Sequence, residues 1–280
     1  MDRPLEGIAA ITGGTSGIGL AVGRALAARR DWQVYLLGTN RQRGCEVIEG
    51  IPCATFLEAD VSNYDELARV FHKIYKDNGR LDFVFANAGV LETHDICARY
   101  TEDEVPPEPN LKTIDVNFKG VVYTTYLALH YFRQSLGTGV EANLIYTGSC
   151  LSFYPSSIPL YTGTKHALVG FMRSVAARVR GEAIRVNAIC PGMVKTNLGG
   201  GESFEDVQHQ LLVPMEYLVD VTLLLLDGRE MIDAKGTRIS ALEAWGRAVE
   251  ISGTNYYFRE QLEWPDDKMQ TTLSETFLAV

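Results

Sequence analysis

The stretch over residues 7–30 constrains the fold of this chain more than any other. Gly7-Ile8-Ala9-Ala10-Ile11 is a short apolar run, Thr12-Gly13-Gly14-Thr15-Ser16-Gly17-Ile18-Gly19 is a glycine-rich turn, and the residues that follow keep helical spacing to Arg30. Strand, glycine turn and helix in that order open a βαβ unit. Its glycines permit a tight turn, close approach of backbone to a pyrophosphate, and close packing of helix on sheet. The start of such a helix also presents unpaired N–H groups and a positive dipole end, which favour a phosphate ligand. A glycine loop in isolation would carry no such meaning; the flanking strand and helix supply it.

The alternation continues along the chain. Apolar runs of strand length recur at 33–37, 54–57, 81–85, 142–146 and 184–189, separated by helical stretches over 41–49, 63–76, 111–134 and 160–180. In the helix over 63–76 Leu67, Val70, Phe71 and Ile74 recur at helical spacing, Ser62 or Asn63 is the cap, and Asn78-Gly79 ends it. Strands alternating with helices at this spacing imply parallel pairing through right-handed crossovers. The expected fold is α/β: a single doubly wound Rossmann-type domain over residues 1–280, with a seven-stranded, mostly parallel sheet and helices on both faces. The last strand is expected to end within Gly236-Thr237-Arg238-Ile239-Ser240-Ala241-Leu242, leaving residues 250–280 as a C-terminal tail. Ligands of such sheets bind at the carboxyl ends of the strands. Gly13, Gly38, Asp60, Asn87, Ser149 and Pro191 all fall at those ends, so the motifs converge on one crevice.

A second feature points to proton chemistry. Tyr161 and Lys165 are four residues apart in a helical stretch, so they share a face, and Ser149 lies a short way upstream. A cation beside a phenol favours the phenolate and draws its pKa down from about 10 towards the range of a general acid or base. A serine at that point would hold the reacting oxygen by a hydrogen bond. Alone, the Tyr/Lys spacing is as common as any surface pair; together with the glycine turn it defines a candidate site.

Composition excludes several alternatives. The chain has 280 residues with no Pro/Ser-rich linker, repeat or low-complexity tract, and its formal charge of -9 argues against nucleic acid or an anionic membrane as partner. The first strand begins by about residue 7, which leaves no room for a signal peptide, and the longest apolar runs are too short to span a bilayer. A cytoplasmic location is therefore expected. Cys45, Cys53, Cys97, Cys150 and Cys190 are odd in number and scattered without paired metal spacing, so reduced thiols and no metal are expected. Cys150 adjoins Ser149, but no histidine is placed by sequence to activate it, which favours a packing role.

The motifs in order resemble those of the short-chain dehydrogenase/reductase family, in its compact single-domain branch, over roughly residues 7–245. They are Thr12-Gly13 to Gly17-Ile18-Gly19, Asp60-Val61, Asn87-Ala88-Gly89, Asn117, Ser149, Tyr161 with Lys165, and Pro191-Gly192 followed by Thr196. The resemblance implies Tyr161 as general acid/base and Ser149 as the residue that orients the substrate carbonyl or hydroxyl. It implies that Lys165 binds the nicotinamide ribose and lowers the tyrosine pKa, and that Asn117 holds a relay water. It also implies a dinucleotide held by Thr12, Gly13, Thr15, Ser16, Gly17, Ile18 and Gly19, with Asp60 and Val61 at the adenine. Asn87, Ala88 and Gly89 would wall the ribose, and Pro191, Gly192, Val194 and Thr196 would hold the carboxamide side. The structural alternatives are that Asp60 caps, Asn87 stabilises its turn and Asn117 bonds a neighbouring backbone. The interval from Ser149 to Tyr161 is one residue shorter than is common in the family, with Ser152 as the other candidate serine. The segment after residue 242 lacks the family's usual glycine pair and looks closer to 15-hydroxyprostaglandin dehydrogenase-like members.

The second strand ends in Gly38-Thr39-Asn40-Arg41, with no carboxylate to bond a ribose 2′-hydroxyl, and Arg41 or Arg43 could reach a 2′-phosphate. NADP(H) is therefore expected over NAD(H), with Asn40 and Arg41 in the cofactor site. Residues 197–215, with Gly199-Gly200-Gly201, suit a substrate lid. The expected function is interconversion of a ketone and a secondary alcohol on a mostly apolar small molecule such as a secondary-metabolite, steroid-like or lipid ketone. Two other readings stay open: a non-catalytic NADP(H)-sensing protein, and a non-redox isomerase, dehydratase or cyclase. The long helices at 111–134 and 160–180 resemble those that pair in family homodimers and homotetramers.

Overall fold

The computed structural model describes residues 7–101, 103–135, 141–199 and 212–274. Strands and helices alternate from the start: β1 (Gly7–Thr12), α1 (Gly17–Ala28), β2 (Trp32–Gly38), α2 (Arg41–Ile48), β3 (Ala54–Glu58), α3 (Tyr64–Asn78) and β4 (Phe83–Ala86). The helix expected over 111–134 begins as α4 (Lys112–Ile114), passes through a π-helical turn (Asp115–Lys119) and continues as α5 (Gly120–Ser135). Then come β5 (Ala142–Thr147), a 3-10 turn (Cys150–Ser152), α6 (Pro159–Arg178), β6 (Ile184–Pro191), α7 (Met215–Leu226), β7 (Met231–Ile232), β8 (Arg238–Ile239), β9 (Ala248–Ser252), β10 (Asn255–Arg259) and α8 (Asp267–Leu273).

The main sheet has the order β10-β9-β6-β5-β4-β1-β2-β3. Every pairing is parallel except β10 with β9. Because β1 pairs with both β2 and β4, strand addition reverses there and a crevice opens at the carboxyl ends of β1 and β4. Alternate residues of β1 feed opposite layers. Ile8 and Ala10 join Phe71, Phe132, Leu144 and Tyr146 under α3, α5 and α6, while Ala9 and Ile11 join Val22, Leu26, Phe85 and Leu225 under α1 and α7. Burying a Phe or Leu side chain in such a layer contributes about 1.5–3 kcal/mol.

The sheet has eight strands rather than seven, and the stretch expected to hold the last strand contributes only β8, which pairs with β7 in a separate two-stranded sheet. The seventh parallel strand is β9, ten residues further on, and β10 folds back on it through Gly253-Thr254 with Gly253 at φ 54. Both lie largely within the stretch expected as a tail. β9 is hard to see in sequence because Glu250 interrupts its apolar run. The strand tolerates that buried carboxylate because Arg259 of β10 reaches it at 3.1 Å and the Tyr154 hydroxyl donates to it at 3.2 Å. Among the described residues no helix is long and apolar enough to cross a membrane.

Candidate active site

The glycine turn closes on the loop after β4. Gly13 and Gly17 adopt φ 62 and 51, a region costly for residues with a Cβ. Gly19 packs so closely that a Cβ there would stand 2.5 Å from the Gly13 carbonyl oxygen and 2.6 Å from Asn87 Nδ2. Thr12 Oγ1 accepts from the backbone N–H of both Asn87 (3.0 Å) and Ala88 (3.1 Å), which joins the ends of β1 and β4. At the start of α1, Ser16 is an extended N-cap that makes no side-chain cap bond, and no acid stands in the first turn. Among the described residues the N-terminal donors of the helix thus have no side-chain partner, beside a cleft that Ser16, Gly17 and Ile18 line, which fits the diphosphate of a dinucleotide.

That cleft, about 640 Å³ in volume, also receives Ser149, Tyr161 and Lys165. Ser149 caps the 3-10 turn that follows β5, and its Oγ accepts from Leu151 N at 3.2 Å. Ser152 is turned inward: its hydroxyl accepts from Ser149 N at 3.2 Å and hydrogen-bonds Cys190, and it does not line the cleft. The geometry therefore favours Ser149 over Ser152. Burial raises the Tyr161 phenol to about 12, partly opposed by its hydrogen bond with Ser149. Burial also lowers Lys165 to about 8.

The expectation of a phenol acidified by Lys165 is corrected by this arrangement. Lys165 Nζ donates to the Thr147 carbonyl at 2.7 Å and lies 5.4 Å from the centroid of the Tyr161 ring, so its charge faces the ring and a carbonyl. Desolvation of the hydroxyl then dominates, and the shift runs upward. Burial likewise raises the Cys150 and Cys190 thiols, Cys190 to about 12, which accords with packing roles.

Asn117 sits in the π-helical turn and is fully buried. Its Oδ1 accepts from Val90 N at 2.8 Å and its Nδ2 donates to Val90 O at 2.9 Å, so its side chain braces the loop after β4. Asn87 is part of the cleft wall and also a brace, with Oδ1 accepting from Thr147 Oγ1 at 3.0 Å. The Asp60 carboxylate accepts from Ser62 N (2.9 Å) and Ser62 Oγ (2.7 Å), which is the capping alternative for that residue.

Of the residues expected at the cofactor, Gly13, Ser16, Gly17, Ile18, Asn87, Ala88 and Gly89 line the cleft on one side. Pro191, Gly192, Val194 and Thr196 line it on the other. Thr12, Thr15, Gly19, Asn40, Arg41, Asp60 and Val61 do not; several of them shape the walls from behind. Arg43 lines the cleft where Arg41 does not. Asn40 Oδ1 caps α2 by accepting from Arg43 N at 2.8 Å, and two residues along a helix turn a side chain by about 200°, so these two arginines face apart. Sequence reasoning missed Thr147, Gly148, Leu91, Glu92 and Thr93 as wall residues; Glu92 carried no motif that would have revealed it. Of the expected lid, residues 200–211 lie outside the described residues, while Asn197 and Leu198 line the cleft. A second cleft of similar volume, at the amino ends of β5, β6 and β9, contains none of the expected site residues.

A doubly wound sheet, a glycine turn at its switch point and a Ser/Tyr/Lys cluster in the same crevice define a dinucleotide-dependent oxidoreductase of the α/β class. The family model described as short chain dehydrogenase matches residues 7–205. The chain belongs to the short-chain dehydrogenase/reductase family. It is 41% identical over 270 residues to short-chain dehydrogenase/reductase prx7 of Penicillium rubens, covering 92% of this chain and 96% of that protein. It is 30% identical over 224 residues to 15-hydroxyprostaglandin dehydrogenase [NAD(+)] of Homo sapiens, covering 76% and 78%. A short chain dehydrogenase from Burkholderia cenocepacia in complex with NADP superposes with a TM-score of 0.70 at 20% identity, covering 90% of this chain and 98% of that one, which shows the shared fold.

Proposed function

We propose that this protein is an NADP(H)-dependent carbonyl reductase or secondary-alcohol dehydrogenase acting on a mostly apolar small molecule. The observation that carries the reading is that Ser149, Tyr161 and Lys165 line one cleft with the glycine turn. When bound, the nicotinamide dinucleotide supplies or accepts the hydride. The first turn of α1 holds the diphosphate, Arg43 meets the 2′-phosphate, and Val194 with Thr196 holds the carboxamide side. Ser149 holds the substrate oxygen and Tyr161 exchanges the proton with it. A phenol pushed up to about 12 is protonated at neutral pH, the form that donates to the oxygen of a ketone. Lys165, lowered to about 8, is still mainly cationic at pH 7, and it holds the Thr147 carbonyl and the face of the Tyr161 ring. Asn117 braces the loop after β4, so any proton relay through this residue uses its main chain. Val90, Leu91, Val194 and Leu198 give the remaining wall its apolar character.

The test is a thermal-shift and turnover panel with NAD(H) and NADP(H) and three ketones: 1-tetralone, a 17-ketosteroid and a 2-alkanone. The reading predicts stabilisation by NADP(H) over NAD(H), ketone-dependent NADPH consumption, and loss of about 10²-fold or more in kcat for Tyr161→Phe with cofactor affinity retained. Tight binding without turnover would instead indicate a nucleotide sensor, and product formation without NADPH consumption an isomerase, dehydratase or cyclase. A homodimer or homotetramer through α5 and α6 is part of the proposal. Tyr126 of α5 is 66% exposed and borders Tyr64, an aromatic patch suited to a self-complementary contact. Light scattering of the purified chain checks it.

A further inference from the structure

Helix α6, which carries Tyr161 and Lys165, starts without any cap of its own. Its N-cap is Ile158, which has no side-chain oxygen, Pro159 opens the helix, and the first turn contains no acid. A helix start leaves several N–H groups in need of acceptors, and proline removes one of them. Thr162 N is answered locally by the Ile158 carbonyl at 2.9 Å. The N–H of Tyr161 is answered from 69 residues away, by Glu92 Oε2 at 2.6 Å. A carboxylate at the positive end of a helix, accepting from a backbone amide, forms one of the stronger kinds of hydrogen bond.

Glu92 belongs to the loop after β4 that walls the cleft, and that loop is fixed at two earlier points. Thr12 Oγ1 holds Asn87 and Ala88, and Asn117 brackets both main-chain polar groups of Val90. The carbonyl of Tyr161 is reached from the same side. Thr164 Oγ1 donates to it at 2.7 Å, and Asn117 Nδ2 stands 3.4 Å from that threonine oxygen. The main chain of Tyr161 is thus tied at its N–H and at its carbonyl to one loop, through Glu92 on one side and through Thr164 and Asn117 on the other.

We propose that Glu92 is a positioning residue for Tyr161: its carboxylate supplies the cap that α6 lacks and couples the cofactor-side loop to the phenol. The inference rests on the reading of Tyr161 as the acid/base. A ligand seated against residues 87–93 stiffens the anchor of Tyr161, and loss of the carboxylate frees the first turn of α6 without touching the glycine turn or the Ser149 loop.

The test compares wild type, Glu92→Ala and Glu92→Gln, all loaded with NADPH. Amide hydrogen exchange over residues 159–165 is read first, then turnover of whichever ketone of the panel is reduced fastest. Glu92→Ala is expected to exchange about 10-fold faster in that turn and to lose about 10-fold in kcat, with KM and NADPH affinity within about 2-fold of wild type. Glu92→Gln recovers most of both losses, because its amide oxygen accepts the same bond. Adding Glu92→Ala to Tyr161→Phe lowers kcat no further, since the two act as a unit. Unchanged exchange, an unchanged kcat in Glu92→Ala, or a Glu92→Gln variant as impaired as Glu92→Ala overturns the inference. Tyr161→Phe with undiminished turnover would remove the acid/base reading itself, while the exchange result would still decide whether Glu92 holds the turn.

Discussion

Lys165 stands over Tyr161: its Nζ is 5.4 Å from the centroid of the phenol ring and is held there by the Thr147 carbonyl at 2.7 Å. Both side chains are buried, and burial moves their pKa values towards the neutral form of each, up for the phenol and down for the ammonium.

The lysine therefore carries a pH signature. Its folded value of about 8 lies below the ordinary 10.5, so between those values the unfolded chain holds more protons and stability attributable to Lys165 rises with pH. Below pH 8 the full penalty of burying the ammonium is present. Lys165→Met is expected to gain stability relative to wild type below pH 8, and the gain should shrink as pH rises from 8 towards 10.5. Urea unfolding at pH 7, 9 and 10.5 measures the difference.

Tyr161 carries the opposite sign. Its folded value of about 12 lies above the ordinary 10.0, so its contribution to stability is complete below pH 10 and is lost as pH rises towards 12. The same phenol stays protonated through the working range, so the fall in ketone-reduction rate at alkaline pH should track Lys165, near pH 8, and not the tyrosine. A pH profile of kcat/KM with its descending limb at 10 or above would contradict this.

Replacing glycine by alanine inside a helix ordinarily favours the helix, but not at Gly19. The added Cβ would meet the Gly13 carbonyl oxygen at 2.5 Å, so the turn and α1 must move apart. Gly19→Ala is expected to lose about 1–3 kcal/mol of stability, as overpacked sites do, and to weaken dinucleotide binding by a larger factor than Gly23→Ala. Denaturant unfolding and cofactor titration check both.

The proposed preference for NADP(H) rests on Arg43, which lines the cleft. Arg43→Ala should lower affinity for NADP(H) by about 10-fold or more while leaving NAD(H) binding within about 2-fold, because a guanidinium recognises the 2′-phosphate that only one of them carries. Arg41→Ala, on the other side of α2, should shift the ratio much less. Titration of each variant with both nucleotides gives the answer.

The buried Glu250 of β9 depends on its partner in β10. Arg259→Ala removes the 3.1 Å ion pair and leaves a desolvated carboxylate with, among the described residues, the Tyr154 hydroxyl as its partner, at an expected cost of about 1–3 kcal/mol. Adding Glu250→Gln should recover part of that loss by removing the uncompensated charge. Urea unfolding of the two single variants and the double variant measures the coupling.

Much of this protein was legible in its sequence because the signals are local. The period of apolar residues marks strands and helices, the spacing of Tyr161 and Lys165 places them on one face of α6, and the glycines from Gly13 to Gly19 mark the tight turn between β1 and α1. Family motifs then gathered these into one crevice, where the fold does bring Gly13, Asn87, Ser149, Tyr161 and Thr196 together. What the tertiary structure alone decided depends on partners far apart in the chain. The strand β9 is disguised by Glu250 until Arg259 and Tyr154 are beside it, and Tyr161 N finds its acceptor 69 residues back, in Glu92. Arg43 rather than Arg41 meets the cleft because of the direction in which α2 leaves its Asn40 cap. The pKa directions of Tyr161 and Lys165 belong to the same class. Spacing brings a cation near a phenol, but the water excluded from both groups is a property of everything packed around them, and here that desolvation outweighs the attraction between them.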